Sequence, residues 1–234
     1  MKKRILLSTM MVLVMAVSSA AFAENPVSGD AVTDRWNFGV SASGVIPDNS
    51  RDYDPGYNIQ GSLSYDLFQW LAVGGEVGYT AVDGFICSED VEEVTGLKNV
   101  LMTTDRLKAW NLHSYPLMGN IILKAPIKMD NGKLVPYITN GFGVLLSNAD
   151  VTVQLKSGGS RYDIDLTVEP AFLCKLGAGL DFYMGDSLAL MFETSYQWAD
   201  LDYHIKVPKY SSTTYKHTQN FDSCYIGGGL KLRF

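Results

Sequence analysis

The chain has 234 residues, of which 47% are hydrophobic, 12% aromatic and 19% charged; it is too apolar for a disordered chain and long enough for one domain or at most two. Nineteen basic residues stand against 25 acidic ones, net −6, and without a basic excess or a basic run to grip phosphates, nucleic-acid binding is excluded. Three cysteines are too few for a disulfide-dense scaffold.

Lys2-Lys3-Arg4 is a positive start, Ile5 to Val17 an apolar stretch broken only by Ser8 and Thr9, and Ala21-Phe22-Ala23 a small-x-small cleavage site. Together they predict a secretory signal peptide, residues 1–23, cut after Ala23. The apolar stretch is about 13 residues, short of the roughly 20 that a spanning helix needs. What remains is one domain, residues 24–234, with 16 basic against 25 acidic residues, net −9. No later segment reaches 18 consecutive apolar residues, so the processed chain is either soluble or a closed β-barrel in a membrane.

Alternation decides between the two. Successive strand side chains point to opposite faces. Trp36, Phe38, Val40, Ala42 and Ile46 oppose Asn37, Gly39, Ser41 and Ser43. Tyr57, Ile59, Gly61, Leu63, Tyr65 and Leu67 oppose Asn58, Gln60, Ser62, Ser64 and Asp66. Leu71, Val73, Gly75, Val77, Tyr79 and Ala81 oppose Gly74, Glu76, Gly78 and Thr80. Trp110 to Lys124 is strand-like, but Pro116 has no N–H for a ladder and predicts a bulge, which leaves the facing of Asn120 open. Leu134 to Leu146 is strand-like with Pro136 at its start, and its facing is also open. Phe172, Cys174, Leu176, Ala178, Leu180 and Phe182 oppose Lys175, Gly177, Gly179 and Asp181. Leu188, Leu190, Phe192, Thr194, Tyr196 and Trp198 oppose Ala189, Met191, Glu193, Ser195 and Gln197, and the apolar parity turns polar at Asp200, Asp202 and His204. Cys224, Ile226, Gly228, Leu230, Leu232 and Phe234 oppose Ser223, Tyr225, Gly227, Gly229, Lys231 and Arg233.

That is eight strands, the even number of bacterial single-chain barrels, with apolar faces near the 9–11 residues that a tilted strand needs to cross. A soluble β-sandwich also alternates, but it does not need eight apolar outer faces of that length. The connections alternate long and short. Pro47–Gly56, Asp83–Lys108, Ser147–Asp165 and Leu201–Asn220 are long and polar. Phe68-Gln69-Trp70, Ala125–Lys133 with its Asn131-Gly132 turn signal, and Gly185-Asp186 are short. Long external loops and short periplasmic turns are the asymmetry of an outer-membrane barrel. Val91–Met102 is a candidate short amphipathic helix.

The ending Tyr225-Ile-Gly-Gly-Gly-Leu-Lys-Leu-Arg-Phe234 resembles the C-terminal signal read by the outer-membrane assembly machinery, through Phe234, Leu232 and Gly229, with Gly227 where a polar residue is usual. Pro136-Tyr137 with Gly141 and Gly143, and Leu176 to Asp181, resemble strands of small porin-like barrels. The whole processed chain resembles the OmpW/OmpX-like outer-membrane β-barrel family. The resemblance implies an all-β, transmembrane, antiparallel up-and-down barrel of eight strands. It also implies a monomer in a Gram-negative outer membrane with a structural role or limited passage of small solutes.

An eight-stranded barrel is just wide enough to be filled by its own side chains. The candidate lumen charges are Asp66, Glu76, Glu169, Asp181 and Glu193 against Lys175, Lys231 and Arg233. Glu193 and Lys231 fall on adjacent strands at similar depth. Because buried charges must be paired, these residues predict either an ion-pair plug or a selectivity constriction. No catalytic residue, metal site or cofactor is expected. His113-Ser114 is the one His–Ser pair, and neighbouring strand residues point apart, which speaks against a lipid hydrolase. Asp200, Asp202 and His204 share one face at the outer rim; they could hold a divalent ion, or meet lipopolysaccharide through bridging cations, but read more simply as a solvated loop stem. His217 reads as loop surface. Cys174 and Cys224 fall on the lipid face and Cys87 in a loop, heights that do not suit a disulfide. The expected partners are outer-membrane lipid, lipopolysaccharide and the assembly machinery. Adhesin or receptor function would sit on the long acidic loops.

Overall fold

The computed structural model describes residues 36–50, 52–87, 106–129, 132–151, 155–157, 160–162, 165–206 and 214–234. Residues 1–23 and Val91–Met102 lie outside them. The described residues form thirteen strands: β1 (Trp36–Pro47), β2 (Gly56–Phe68), β3 (Leu71–Cys87), β4 (Arg106–Lys124), β5 (Ile127–Met129), β6 (Gly132–Val151), β7 (Leu155–Ser157), β8 (Ser160–Tyr162), β9 (Asp165–Val168), β10 (Ala171–Met184), β11 (Leu188–Lys206), β12 (Thr214–Asn220) and β13 (Ser223–Arg233). The eight longest that form the wall pair antiparallel in the order β1-β2-β3-β4-β6-β10-β11-β13, and β13 returns to β1. The cylinder has no free edge, so every backbone ladder is satisfied within the wall, as lipid requires.

Pleating sends alternate side chains in and out. Phe172, Phe192, Ile226 and Val77 are 66%, 58%, 57% and 55% exposed on the outer face. Asn37, Asn58, Glu76, Lys175 and Asp181 are buried on the inner face. This is a core polarity turned inside out, and it is stable only with hydrocarbon around the wall. Aromatic rings mark the edges of the apolar belt. Trp36 packs edge-on against Tyr65, and Phe68 stacks on Trp70, at the end with short turns. Tyr57, Tyr79 and Tyr115, with Tyr196 beside Trp198, ring the other end. Along β2 the two rings are eight residues apart, from Tyr57 to Tyr65, which for a tilted strand is a height of about 20 Å.

The short turns are tight where glycine permits. Gly185 has φ +83° between β10 and β11, and Gly132 has φ +149° at the start of β6, values that strain any residue with a Cβ. The segment Ala125–Lys133 holds a small hairpin, because β5 pairs back onto the start of β6.

At the opposite end the wall runs on past the aromatic ring. β3 continues from Tyr79 to Cys87 and β11 from Trp198 to Lys206, so stretches expected to be loops are strand. The second long segment contributes the end of β3 and the start of β4, the third the end of β6 with β7, β8 and the first residue of β9, and the fourth the end of β11 and β12.

The bulge expected at Pro116 is absent. Register against β6 is unbroken, with Pro116 opposite Leu145. Against β3 it is the same at Val77–Leu117 and at Thr80–Ser114. Pro116 is accommodated because Gly78 lies across from it, where an added Cβ would sit 3.2 Å from the proline ring. The irregularities fall elsewhere. One is at Gly84/Phe85, where β4 carries an extra residue. Another is at Glu169-Pro170, where β9 and β10 together carry one residue more than β11 between Tyr203–Val168 and Leu173–Ala199. Pro136 lies inside β6 rather than at its start, where the β4 ladder gives way to β5.

Candidate functional site: the barrel lumen

Two charged clusters fill the half of the lumen nearer the short turns. At the mouth, Asp66 from the end of β2 bonds Lys124 from the end of β4, while Arg233 Nη2 of β13 lies 2.9 Å from Asp66 Oδ2. Asn37 Nδ2 donates to Asp66 Oδ1 at 3.1 Å. Beside them Lys231 bonds Asp181, and the Lys231 ammonium stands 4.9 Å from the centre of the Tyr137 ring. Deeper in, Lys175 of β10 is held between two carboxylates, Glu76 Oε1 at 2.9 Å and Glu193 Oε1 at 2.7 Å. Asn120 Nδ2 donates to Glu76 Oε2 at 2.8 Å, and the Tyr137 hydroxyl to Glu193 Oε2 at 2.9 Å. These ion pairs balance four carboxylates against four cations.

Glu76, Lys175, Asp181, Glu193, Lys231 and Arg233 all face the lumen, but two expectations change. Glu193 and Lys231 are not at one depth: Lys231 sits opposite Ala189, and Glu193 opposite Gly227. Lys231 therefore meets Asp181, and Glu193 meets Lys175. Glu169 is not a lumen residue. The extra residue at Glu169-Pro170 reverses its facing, and its exposed carboxylate lies 2.9 Å from His204 Nε2 at the outer rim.

Lys124, Asn37 and Tyr137 were missed. The doubt cast by Pro116 on β4 hid Lys124, although its parity with Asn120 carried the signal.

Above the charged half the lining changes. Asn58 Nδ2 donates to Thr80 Oγ1 at 2.8 Å, and Ser114 shares a 2.8 Å bond with Ser147. Beyond them lies an apolar cluster that includes Val45, Val82, Leu112, Leu145, Leu173 and Leu201. Beside Glu193 a polar cavity lined by Gln60, Ser62, Asn120, Tyr137 and Thr139 has room for about two water molecules. The lumen is thus a polar chamber below and an apolar plug above.

His113 and Ser114 point to opposite faces. His113 accepts or shares a 2.7 Å bond with the Tyr79 hydroxyl on the outside, and Ser114 is buried inside. At the outer rim Asp202 bonds Lys216 at 2.9 Å and Thr218 at 2.5 Å, while Asn220 Nδ2 reaches Asp200 at 3.4 Å. The partners of Asp200, Asp202 and His204 are thus side chains of β12 and Glu169, as suits the stem of an outer loop.

Three solved structures share this architecture. Neisserial surface protein A is 12% identical, with 90% of this chain and 100% of that chain covered and a TM-score of 0.50. Outer membrane protein OprG from Pseudomonas aeruginosa is 13% identical, with 86% and 94% covered and a TM-score of 0.53. The fold is that of the small outer-membrane β-barrels. Outer membrane protein AlkL, solved in lipid bilayers, is 14% identical, with 90% and 95% covered and a TM-score of 0.52. At these identities the likeness is one of fold. No protein-family model matches the chain, and the curated proteins provide no match.

Proposed function

We propose that the chain is exported by its first 23 residues and inserted into the outer membrane of a Gram-negative cell, as a monomeric barrel of the small porin-like kind. Its role is structural, with passage limited to small solutes. The assembly machinery reads the strand that ends at Phe234. Short turns then face the periplasm and the tall rim faces outward, next to lipopolysaccharide.

One observation carries the functional reading. The cross-section is occupied twice, by paired charges around Lys175 and by the apolar cluster around Leu112 and Leu201. An eight-stranded wall leaves no room for a wide aqueous path around such fillings. The lumen residues are a plug on this reading rather than a selectivity filter. Planar-bilayer recording of the refolded protein tests it. Brief, small openings are expected, and a steady, wide conductance would overturn it.

A second reading, binding of a surface ligand by the external loops, is favoured by the strands that stand some 20 Å above the aromatic ring on β3 and β11. Loss of ligand or host-cell binding on trimming residues 88–105, with the barrel intact, would support it.

A further inference from the structure

Asn140 stands exposed on the outer face of β6. Its height in the apolar belt follows from register. The row of paired residues through it runs one way over Ile121 of β4, Val73 of β3 and Tyr65 of β2 to Trp36 of β1. The other way it runs over Leu176 of β10, Tyr196 of β11 and Cys224 of β13 to Ile46 of β1. The row thus leaves β1 at the aromatic ring nearer the short turns. It returns to β1 near the outer ring, two residues beyond Gly44, which pairs with Tyr57. Asn140 is the fourth of the eight steps, halfway up the belt.

Among the described residues, the lipid-facing positions between the two rings carry no charge and no second amide, and Thr194 adds only a half-buried hydroxyl. The Asn140 side chain has no hydrogen-bond partner among the described residues. An amide carries both donors and an acceptor, hydrocarbon offers neither in return, and an amide left unpaired there is costly. The neighbours on the wall leave room for an approach. Gly119, opposite Phe142, has nothing within 4 Å of where a Cβ would sit, and Ala178, opposite Ile138, is small.

We propose that two copies of the chain meet at this face within the membrane, with their Asn140 amides bonded to each other. Like barrels inserted the same way pair about a two-fold axis along the membrane normal, and a residue on that axis meets its own copy. Asparagine is self-complementary there, because each Nδ2 donates to the other Oδ1 and both amides are satisfied together. Lipid tails supply neither bond. The same axis sets β4 of one copy against β10 of the other, so the dent at Gly119 receives outward side chains of β10. Each cylinder closes its own ladders, so each copy inserts as a monomer and pairs afterwards, reversibly, since a single polar contact in a bilayer is weak. The pair depends on the proposed membrane setting, in which this belt stands in lipid.

The test uses a chain whose three cysteines are replaced by alanine, refolded into phosphatidylcholine vesicles. Asp186→Cys in the β10–β11 turn carries a donor dye in one batch and an acceptor in another. Energy transfer above that of random mixing is expected in this parent, and adding Asn140→Leu should raise the protein-to-lipid ratio needed for the same transfer about tenfold. In separate chains at a high protein-to-lipid ratio, Asn140→Cys should give a disulfide-linked dimer on mild oxidation. Val40→Cys, exposed to lipid on β1 across the cylinder, should not. Equal transfer with and without Asn140→Leu at every ratio, or equal linking at positions 140 and 40, would overturn the pair. Urea unfolding at high dilution in lipid tests the setting separately. Asn140→Leu should be more stable there than the parent, because an amide leaves the hydrocarbon. Unchanged stability would overturn the lipid setting and the pair with it, whereas a more stable variant with undiminished transfer would overturn the pair alone.

Discussion

Lys175 on β10 and Glu76 on β3 are 99 positions apart in the chain, yet the ammonium lies 2.9 Å from the carboxylate across the lumen. Glu193 completes the site from the other side at 2.7 Å. A lysine buried between two acids ties three strands into one cross-section. Removing it leaves two carboxylates in a place that water scarcely reaches.

Lys175→Met should therefore destabilise the barrel by about 3–5 kcal/mol, because an uncompensated buried charge costs more than the intact pair gains. Urea unfolding in lipid vesicles reads the loss. Adding Glu76→Gln and Glu193→Gln to the same chain should recover most of it. A Lys175→Met barrel as stable as the parent would show that the cluster is solvated.

On the outer face, Leu117 is 46% exposed in the apolar belt, two residues from Tyr115 of the outer aromatic ring. Leu117→Arg should cost about 1–3 kcal/mol in the same assay, between the cost of a cation at the bilayer midplane and its small cost at the interface. Ser62→Arg, on the inner face, tests crowding rather than lipid and serves as the contrast. A Leu117→Arg protein of unchanged stability would place that face in water.

The outer rim predicts a pH effect. Asp202 is held below the usual carboxylate range, first by the Thr218 hydroxyl and then by the Lys216 ammonium. A carboxyl lower in the folded than in the unfolded chain adds stability above its unfolded value, near pH 4, and loses it as pH falls through the folded value. The group is exposed, so the effect on global unfolding is small. Carboxyl NMR titration should show the depressed midpoint, with Thr218→Val raising it more than Lys216→Ala. An ordinary midpoint in the parent would remove both bonds from solution.

Phe234 closes the wall at the seam, where Trp36 N–H donates to Phe234 O and Phe234 N–H to Trp36 O, both at 2.9 Å. Its ring is exposed to lipid. Phe234→Ala keeps the backbone seam and removes the terminal ring. It should lower the amount of folded protein in outer-membrane fractions several-fold while refolding from urea stays close to normal. Equal amounts in the membrane would deny the terminal ring a role in recognition.

Much of the wall was legible in the sequence because alternation is local. A strand such as Leu188 to Trp198 declares its two faces without reference to any neighbour. What depends on register was not legible. Glu193 and Lys231 looked level, but strand stagger sets Lys231 against Ala189. The parity of β10, extended backwards, puts Glu169 inward, but the one-residue bulge beside Pro170 turns it out. Pro116 suggested a bulge that Gly78 makes unnecessary, and that doubt concealed Asn120 and Lys124. The apolar plug did leave a trace. Val45, Leu112 and Leu201 are large apolar residues on the inward parity near the outer ends of their strands, and Tyr53 is a lone ring in an acidic loop.

A nitroxide scan along β11 tests the central claim most directly. Single cysteines are placed at positions 188–204 of a cysteine-free chain, labelled, and refolded into vesicles. Oxygen collisions should be high at 190, 192, 194, 196 and 198 and low at the odd positions between. At 200, 202 and 204 the even positions should turn to water-soluble reagents instead. Access without a period of two, or water reagents reaching 190 to 196, would contradict a wall whose apolar face meets lipid and whose charged face is sealed inside.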